Sequence, residues 1–519
     1  MVVGRRGGDV SVTTVASLPA LLALNVFAAL QGIETWGEHP SAIDPVEIAD
    51  AEMEFVVAKW SETVVRGRPW VPYKRVATVS KGTRLRVRGV VPSRDKSGCH
   101  NKDWYAVFPF GYVCSEQVKK TDKAPEPGPA LPVSSGKRLP FSYAIVRETD
   151  TPMYANVEDA ELGIIERRLT KGMSLVGATS VEVAGESYIR TRAGKVVPKF
   201  GVSWMGQGSD WRGVYLDAEE TGPVFAWVRG KKVTVYSEPT RGSEKIRTLA
   251  LRERVMLLAP NSLGHSPSWW RIGEGEWVEA DDLNEVHVIE PPQGVLTDYR
   301  THRTGNDQWI DVDVGEQVLV AYRGHRPVYA TLISSGRGSP TPLGNYPIWA
   351  KVASMDMANQ DYEDKPYLVQ GVPWVLLFQG HNALHGAYWH NRFGNRKSHG
   401  CVNLAPHDAR WVFEWSGPML PRGWTGYLPS DLDKSVVVHV RDTSKSAGAT
   451  FTQQRRRGPP DREAERKKAE TAEKRRALAE LRDAALTSPD VPAGAYVPDP
   501  TQAPPKLDPK RPPPPPPVR

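Results

Sequence analysis

Between His381 and Trp415 the chain gathers side chains that can do chemistry: His381, His385, His390, His399 and His407, with Cys401 among them. Three chemistries fit that set. Imidazoles and a thiolate could ligate a metal, but the segment holds no His-Glu-x-x-His helix, and its Gly, Pro and Asn content reads as loop. A His-rich loop around an inert, buried Cys is a second reading. Gly400, wedged between His399 and Cys401 in a polar stretch, is unlike a core strand. The third reading is a Cys nucleophile activated by His. A free thiol is mostly protonated at neutral pH, so an imidazole in hydrogen-bond reach must take its proton. A third group should orient that imidazole. Gly400 lets the backbone turn tightly, and the amides there could hold the oxyanion of a tetrahedral acyl intermediate. No metal is expected on this reading.

The elements that must position these groups read as mostly β. After the Pro291-Pro292 boundary, Trp309 to Val314 and Gln317 to Tyr322 alternate as a hairpin. Val328 to Ser334 gives a third strand, and Gly336-Arg337-Gly338 a turn. Upstream, a pattern recurs loosely three times. An aromatic (Tyr73, Tyr154, Tyr236) precedes alternating strands that end in Trp104-Tyr105, Tyr188-Ile189 and Trp269-Trp270. Short alternating strands and turns at this spacing predict small antiparallel barrels. Most of their aromatics are expected in barrel cores; some could line a glycan or peptide groove. Cys99 and Cys114 bracket the Trp104 strand, where adjacent strands would bring them within bonding distance. That pairing leaves Cys401 as the single odd thiol, a flag for reactivity.

The segment from His381 onward now resembles a family. Ser398-His399-Gly400-Cys401-Val402-Asn403 is similar to the signature of L,D-transpeptidases, the YkuD-type peptidoglycan enzymes. His385-Gly386 upstream and Gly394 fit the same pattern, as does Thr341-Pro342-Leu343-Gly344-Asn345-Tyr346-Pro347-Ile348. The barrels resemble the bacterial Src-homology-3-like module of cell-wall enzymes. The L,D-transpeptidase resemblance covers about Gln308 to Val440. The resemblances imply a mainly β fold, a YkuD-type β-sandwich or barrel catalytic domain behind small Src-homology-3-like β-barrels, and composition adds a charged helix and a disordered Pro-rich C-terminal tail. The L,D-transpeptidase resemblance also implies Cys401 as nucleophile, His385 as general base, and the Gly386 carbonyl as the group that orients the imidazole. His399 would shape the pocket, and the Gly400 and Cys401 amides would form the oxyanion hole. Ser398 and Asn403 would hold the motif loop; many relatives carry Arg where Asn403 stands. Tyr346, Met355, Trp374 and Trp389 would line the donor cleft or pack in the core. Arg392 would meet a substrate carboxylate or remain a solvated charge. No cofactor is implied. The expected partners are peptidoglycan stem peptides, with glycan strands as candidates for the barrels. The acceptor could be a second stem, water or a protein amine. The last two would make the site an L,D-carboxypeptidase or a wall-anchoring enzyme. A non-catalytic peptidoglycan-binding protein is the alternative from another class.

The whole chain sets the boundaries. Its 519 residues, 40% hydrophobic with 17 Trp, are too long for one domain and too apolar for a wholly disordered chain. Three Cys exclude a disulfide scaffold, and a mean hydropathy of −0.44 excludes a polytopic membrane protein. The net charge of +7 invites a nucleic-acid partner. Its location removes that reading: the segment from Thr452 to Arg519 holds 15 Lys/Arg against 10 Asp/Glu, hence +5, and 15 of the 45 Pro. Within it, Asp461 to Leu486 reads as a charged helix, and the rest as extended chain. At the other end, Arg5 and Arg6 precede an apolar run, Val10 to Leu30, which reads as an export signal with an uncleaved anchor as its rival. Expected domains are a signal or anchor at 1–30, a linker at 31–64 and barrels at 65–122, 137–222 (weak) and 223–290. The catalytic domain follows at 300–442, and the tail at 452–519. The expected location is the periplasm or cell envelope, with membrane contact only through a retained N-terminal segment.

Overall fold

The computed structural model describes residues 49–444 apart from positions 52, 72, 93–98, 217–224, 259–267, 293–294, 296–306, 338–340 and 359–366. The expected signal and the tail lie outside the described residues. No described helix is long and apolar enough to cross a membrane.

The first unit is an antiparallel sheet whose first strand pairs with the fourth and seventh. Its strands are Phe55–Ala58, Thr63–Arg66, Arg75–Val79, Arg84–Val91, Trp104–Val107, Tyr112–Cys114 and Val118–Thr121. Arg84–Val91 shows why it is a strand: Leu85, Val87 and Val91 are buried while Arg86 faces solvent, the period of two that one covered face imposes. That strand is long enough to pair with Trp104–Val107 and with Phe55–Ala58, which in turn pairs with Val118–Thr121. The first strand lies within the segment expected as a linker at 31–64. Val56 and Ala58 are buried in the core, and the acidic residues around this four-residue run mask it in the sequence. A disulfide joins Cys99 and Cys114, whose Cα atoms lie 5.3 Å apart.

Two further units repeat the order of hairpins. In one, Ser142–Val146 pairs with Ser174–Val183 and Val202–Trp204, and Ser174–Val183 pairs with Glu186–Thr191. A short helix, Val157–Glu161, is inserted there. It starts at Asn156, whose side chain accepts the Asp159 N–H at 2.8 Å. This insertion weakens the repeat in the sequence. In the other, Phe225–Val228 lies between Arg254–Met256 and Leu283–Val286. In all three units a single 3-10 turn (Ser115–Gln117, Lys199–Gly201, Ala280–Asp282) leads into the last strand.

The C-terminal part is built from two β layers. One sheet has the order Val214–Tyr215, Arg326–Leu332, Val318–Arg323, Gln308–Asp313, Val437–Arg441, Gly344–Pro347. The other contains Ala350–Ala358, Leu368–Gln379, Asn382–Gly386, Val402–Leu404 and Trp424–Tyr427. Ile310, Val312, Leu319, Leu376, Phe378, Val438 and Val440 fill one shared core with Val412 and Phe413 of the helix Pro406–Trp415. The upstream units are hydrogen-bonded into this part. Arg75–Val79 pairs with Trp424–Tyr427, Ser174 pairs with Val369, and the Tyr143 hydroxyl donates to the Gly371 carbonyl at 2.8 Å.

The disulfide spans a sequence separation of 15, and closing a loop of that size stabilises by about 3 kcal/mol in the chain-entropy account. In a Cys401→Ala background, reduction is expected to lower the temperature at which the first unit melts. An unchanged melting profile with and without reductant would show that the bond does not support this unit.

Candidate active site

The site rests on two short parallel strands, Asn382–Gly386 and Val402–Leu404. Leu384 is opposite Val402 and His385 opposite Asn403. Side chains alternate across a sheet, so Cys401 and Asn403 share the face that carries Ala383 and His385. Leu384 and Val402 point the other way, into the main core.

His385 is 2% exposed. Its Nδ1 lies 3.4 Å from the Gly386 carbonyl. A carbonyl oxygen only accepts, so Nδ1 carries the proton and Nε2 keeps its lone pair. Burial pushes the imidazole pKa down to about 4, against a smaller upward pull from the Gly386 carbonyl. His385 is therefore a neutral base at neutral pH. Trp389 stacks on it, with centroids 5.8 Å apart.

Cys401 is the single free cysteine and is partly exposed. It packs against the small cluster of Ala350, Val372, Val375, Leu377 and Ala383. Burial raises its pKa above the usual thiol value. The thiol points at the His381 carbonyl, with Sγ 3.7 Å away. Among the described residues no hydrogen bond joins it to His385, so the thiol must turn before its proton can pass to Nε2.

The turn before Cys401 is held by short contacts. Gly400 has φ +152°, a conformation L side chains rarely adopt. Ser398 Oγ donates to the Cys401 carbonyl and accepts the Gly400 N–H at 3.1 Å. The Gly400 amide expected as an oxyanion donor is thus engaged by Ser398. Thr341 Oγ1 donates to the Gly400 carbonyl at 2.8 Å and accepts the Gly336 N–H at 2.9 Å. Asn403 exchanges two backbone bonds with Ser334. Its side-chain amide lies 2.9 Å from Nε2 of His390. Nδ1 of His390 accepts the Arg392 N–H at 3.1 Å. Burial pushes the His390 pKa down to about 4, which keeps the ring neutral at neutral pH.

The remaining expected residues divide. Met355 and Trp389 pack against the same small cluster as Cys401. His399 is exposed and stacks on Tyr367, with centroids 5.5 Å apart. Arg392 is exposed, and its carbonyl accepts from Ser334 Oγ at 2.9 Å. Tyr346 and Trp374 do not line the cleft. Both are buried in the main core, on the other side of the sheet from Cys401, and the Tyr346 hydroxyl is used by the Leu343 carbonyl at 2.7 Å. An aromatic on a strand beside a motif reads the same whichever face it takes. Sequence reasoning overlooked His390 and the hydroxyl role of Thr341. His390 was visible only as one more histidine, and Thr341 opens the Thr-Pro-x-Gly segment already singled out.

Residues 307–438 match the family model of the YkuD L,D-transpeptidase catalytic domain. A Bacillus subtilis protein, YciB, whose name assigns it provisionally to the L,D-transpeptidases, is 27% identical over 126 residues, 20% of this chain and 59% of its own length. A mutant L,D-transpeptidase of Enterococcus faecium is 22% identical, with a TM-score of 0.21, covering 26% of this chain and 50% of its own. L,D-transpeptidase 3 of Mycobacterium tuberculosis, solved with a faropenem-derived adduct, is 17% identical, with a TM-score of 0.21, covering 26% of this chain and 60% of its own. The chain thus spans about half to three-fifths of the length of these relatives. The two-layer fold with its His385-Gly386 and Ser398-to-Asn403 segments coincides with the matched residues, and residues 307–438 are a YkuD-type L,D-transpeptidase catalytic domain.

Proposed function

We propose that the chain is an exported L,D-transpeptidase that crosslinks peptidoglycan stem peptides in the cell envelope. The observation that carries this reading is the pairing of a neutral, buried His385 with Cys401 on one sheet face, within a segment that matches the L,D-transpeptidase domain. The Cys401 thiol turns toward His385 and gives its proton to Nε2. The sulfur attacks the carbonyl that joins the third residue of a tetrapeptide stem to the terminal D-Ala. The tetrahedral oxyanion is held by the Cys401 amide. His385 then returns the proton to the leaving amine, D-Ala departs, and a thioester remains. A side-chain amine of a second stem attacks that thioester, giving a 3→3 crosslink and freeing the thiol. Water as acceptor gives tripeptides, and a protein amine attaches that protein to the wall. The barrels are candidates for contact with glycan strands.

Burial favours the neutral forms of both partners, so the proton moves during attack rather than from a preformed thiolate. His385 has a lowered pKa, which keeps the base competent to lower pH than an ordinary imidazole. The rate of Cys401 acylation by a carbapenem is expected to vary less than about twofold from about pH 5 to 8 and to fall as pH drops through about 4. An acid limb centred near 6.5, the ordinary imidazole value, would contradict this assignment.

Intact-protein mass spectrometry should find one carbapenem adduct on the wild-type chain and none on Cys401→Ala. Sacculi incubated with the wild type should gain 3→3 muropeptide dimers. No adduct, or an equal one on Cys401→Ala, would sink the enzyme reading. Tripeptides without dimers would make the activity a carboxypeptidase.

A further inference from the structure

The Asn382–Gly386 and Val402–Leu404 strands are joined by residues 387–401, which hold no helix or strand. This crossover carries Trp389, stacked on His385, and His390, bonded to Asn403. The unit spanning Phe225–Val286 grips it from outside. Arg252 lies in the turn between the strands Lys245–Ala250 and Arg254–Met256, with φ 64°, a left-handed conformation uncommon for Arg. Its guanidinium stacks on Trp211 at 5.2 Å. Nη1 donates to Asn391 Oδ1 at 2.8 Å and Nη2 to the Asn391 carbonyl at 2.9 Å, with the Phe393 carbonyl at 3.5 Å. Ser209 Oγ donates to the same Asn391 Oδ1 at 2.6 Å.

A second grip comes from Asn284 in the Leu283–Val286 strand, which is 1% exposed. Its Nδ2 donates to the Gly394 carbonyl at 3.0 Å and to the Glu316 carbonyl at 2.6 Å. Gly394 has φ +95°, and a Cβ there would lie 2.9 Å from Asn284 Oδ1. Three successive stretches of the crossover, at Asn391, Phe393 and Gly394, are therefore held by side chains from outside the catalytic domain.

We infer that this unit acts on catalysis through Arg252 and Asn284, positioning residues that hold the crossover so that Trp389 and His390 keep His385 and Asn403 in place. The inference rests on the proposed L,D-transpeptidase reading and assigns the third barrel-like unit a role within the enzyme, separate from any wall contact. A fork-shaped guanidinium suits this role, because it reaches the side-chain oxygen and the carbonyl of one residue together, which a lysine ammonium cannot do in the same plane.

The test uses the full chain as wild type, Arg252→Ala, Arg252→Lys, Asn284→Ala and, as a control, Arg241→Ala, an exposed arginine of the same unit paired with Glu279. Saturation kinetics of Cys401 acylation by a carbapenem are read beside amide hydrogen exchange over residues 389–395. In Arg252→Ala the limiting acylation rate should fall about tenfold, with half-saturation changed less than about twofold, because small displacements of positioned groups cost rate. Exchange over 389–395 should rise while the remaining catalytic strands keep their protection. Arg252→Lys should be intermediate, Asn284→Ala should loosen the same segment, and Arg241→Ala should change neither readout. An Arg252→Ala chain that acylates at the wild-type rate overturns the inference. So does one that slows without added exchange over 389–395, or that loses protection throughout the domain. A wild-type chain that takes no adduct would defeat the enzyme reading instead, and unchanged exchange over 389–395 in Arg252→Ala would still refute the grip.

Discussion

Everything at the site depends on one parallel strand pairing, Asn382–Gly386 beside Val402–Leu404. Parallel neighbours cannot be joined by a tight turn; they need a long crossover, commonly a helix. Here residues 387–401 make that crossover without regular structure, and they contain His399 and the turn into Cys401. A helix satisfies its own backbone groups, whereas a loop must find partners elsewhere. The partners are numerous: Ser335 accepts from the Lys397 and Ser398 amides, Ile333 from the Gly394 amide, and Ser334 exchanges bonds with Asn403. The Ser335 side chain is itself fixed by Gln317, which donates to its Oγ at 2.6 Å. The loop into Cys401 is thus templated by the residues that follow the Arg326–Leu332 strand.

The same constraint explains the buried polar groups around the helix Pro406–Trp415, which follows directly on Val402–Leu404. Asp408 is fully buried and accepts from the Tyr329 hydroxyl at 2.7 Å, from Thr331 and from the Gly213 amide at 2.9 Å. Lys351, 1% exposed, donates to the Phe413 carbonyl and sits 4.4 Å over that ring, and burial pushes its pKa down to about 7. Breaking one side of such a buried contact leaves an uncompensated polar group, which costs more than the contact itself contributes. One anchor ties the helix to the Arg326–Leu332 strand and the other to Ala350–Ala358. The strand ahead of it, with Asn403 at its centre, is held from both layers.

How much of this was legible from the sequence follows from the range of each interaction. Cys401, His385 and the turn between them lie within a short local pattern, so residue type and spacing suffice to single them out as candidates. Tyr346 and Trp374 were expected near the cleft as readily as in the core, because strand pattern alone does not say which face turns inward. The Phe55–Ala58 strand went unread since a four-residue run carries little periodicity inside an acidic stretch. The three upstream units left a loose recurring pattern in the sequence. Their hydrogen bonds into the catalytic sheet, such as Arg75–Val79 on Trp424–Tyr427, join residues hundreds of positions apart and leave no local mark.

Electrostatics tie these levels together. The sheet that faces the site layer buries Arg441 between Asp311 and Asp313, with Nη2 at 2.9 Å and Nη1 at 2.7 Å from their carboxylates. Burial still lifts Asp311 to about 6 despite that cation. The same desolvation, with no counter-charge bonded to either group, drives His385 and Cys401 toward their neutral forms. A charged thiolate–imidazolium pair would have to bear the desolvation cost at rest. A neutral pair bears no such cost at rest. The held crossover and the neutral His385 and Cys401 are therefore two parts of one arrangement.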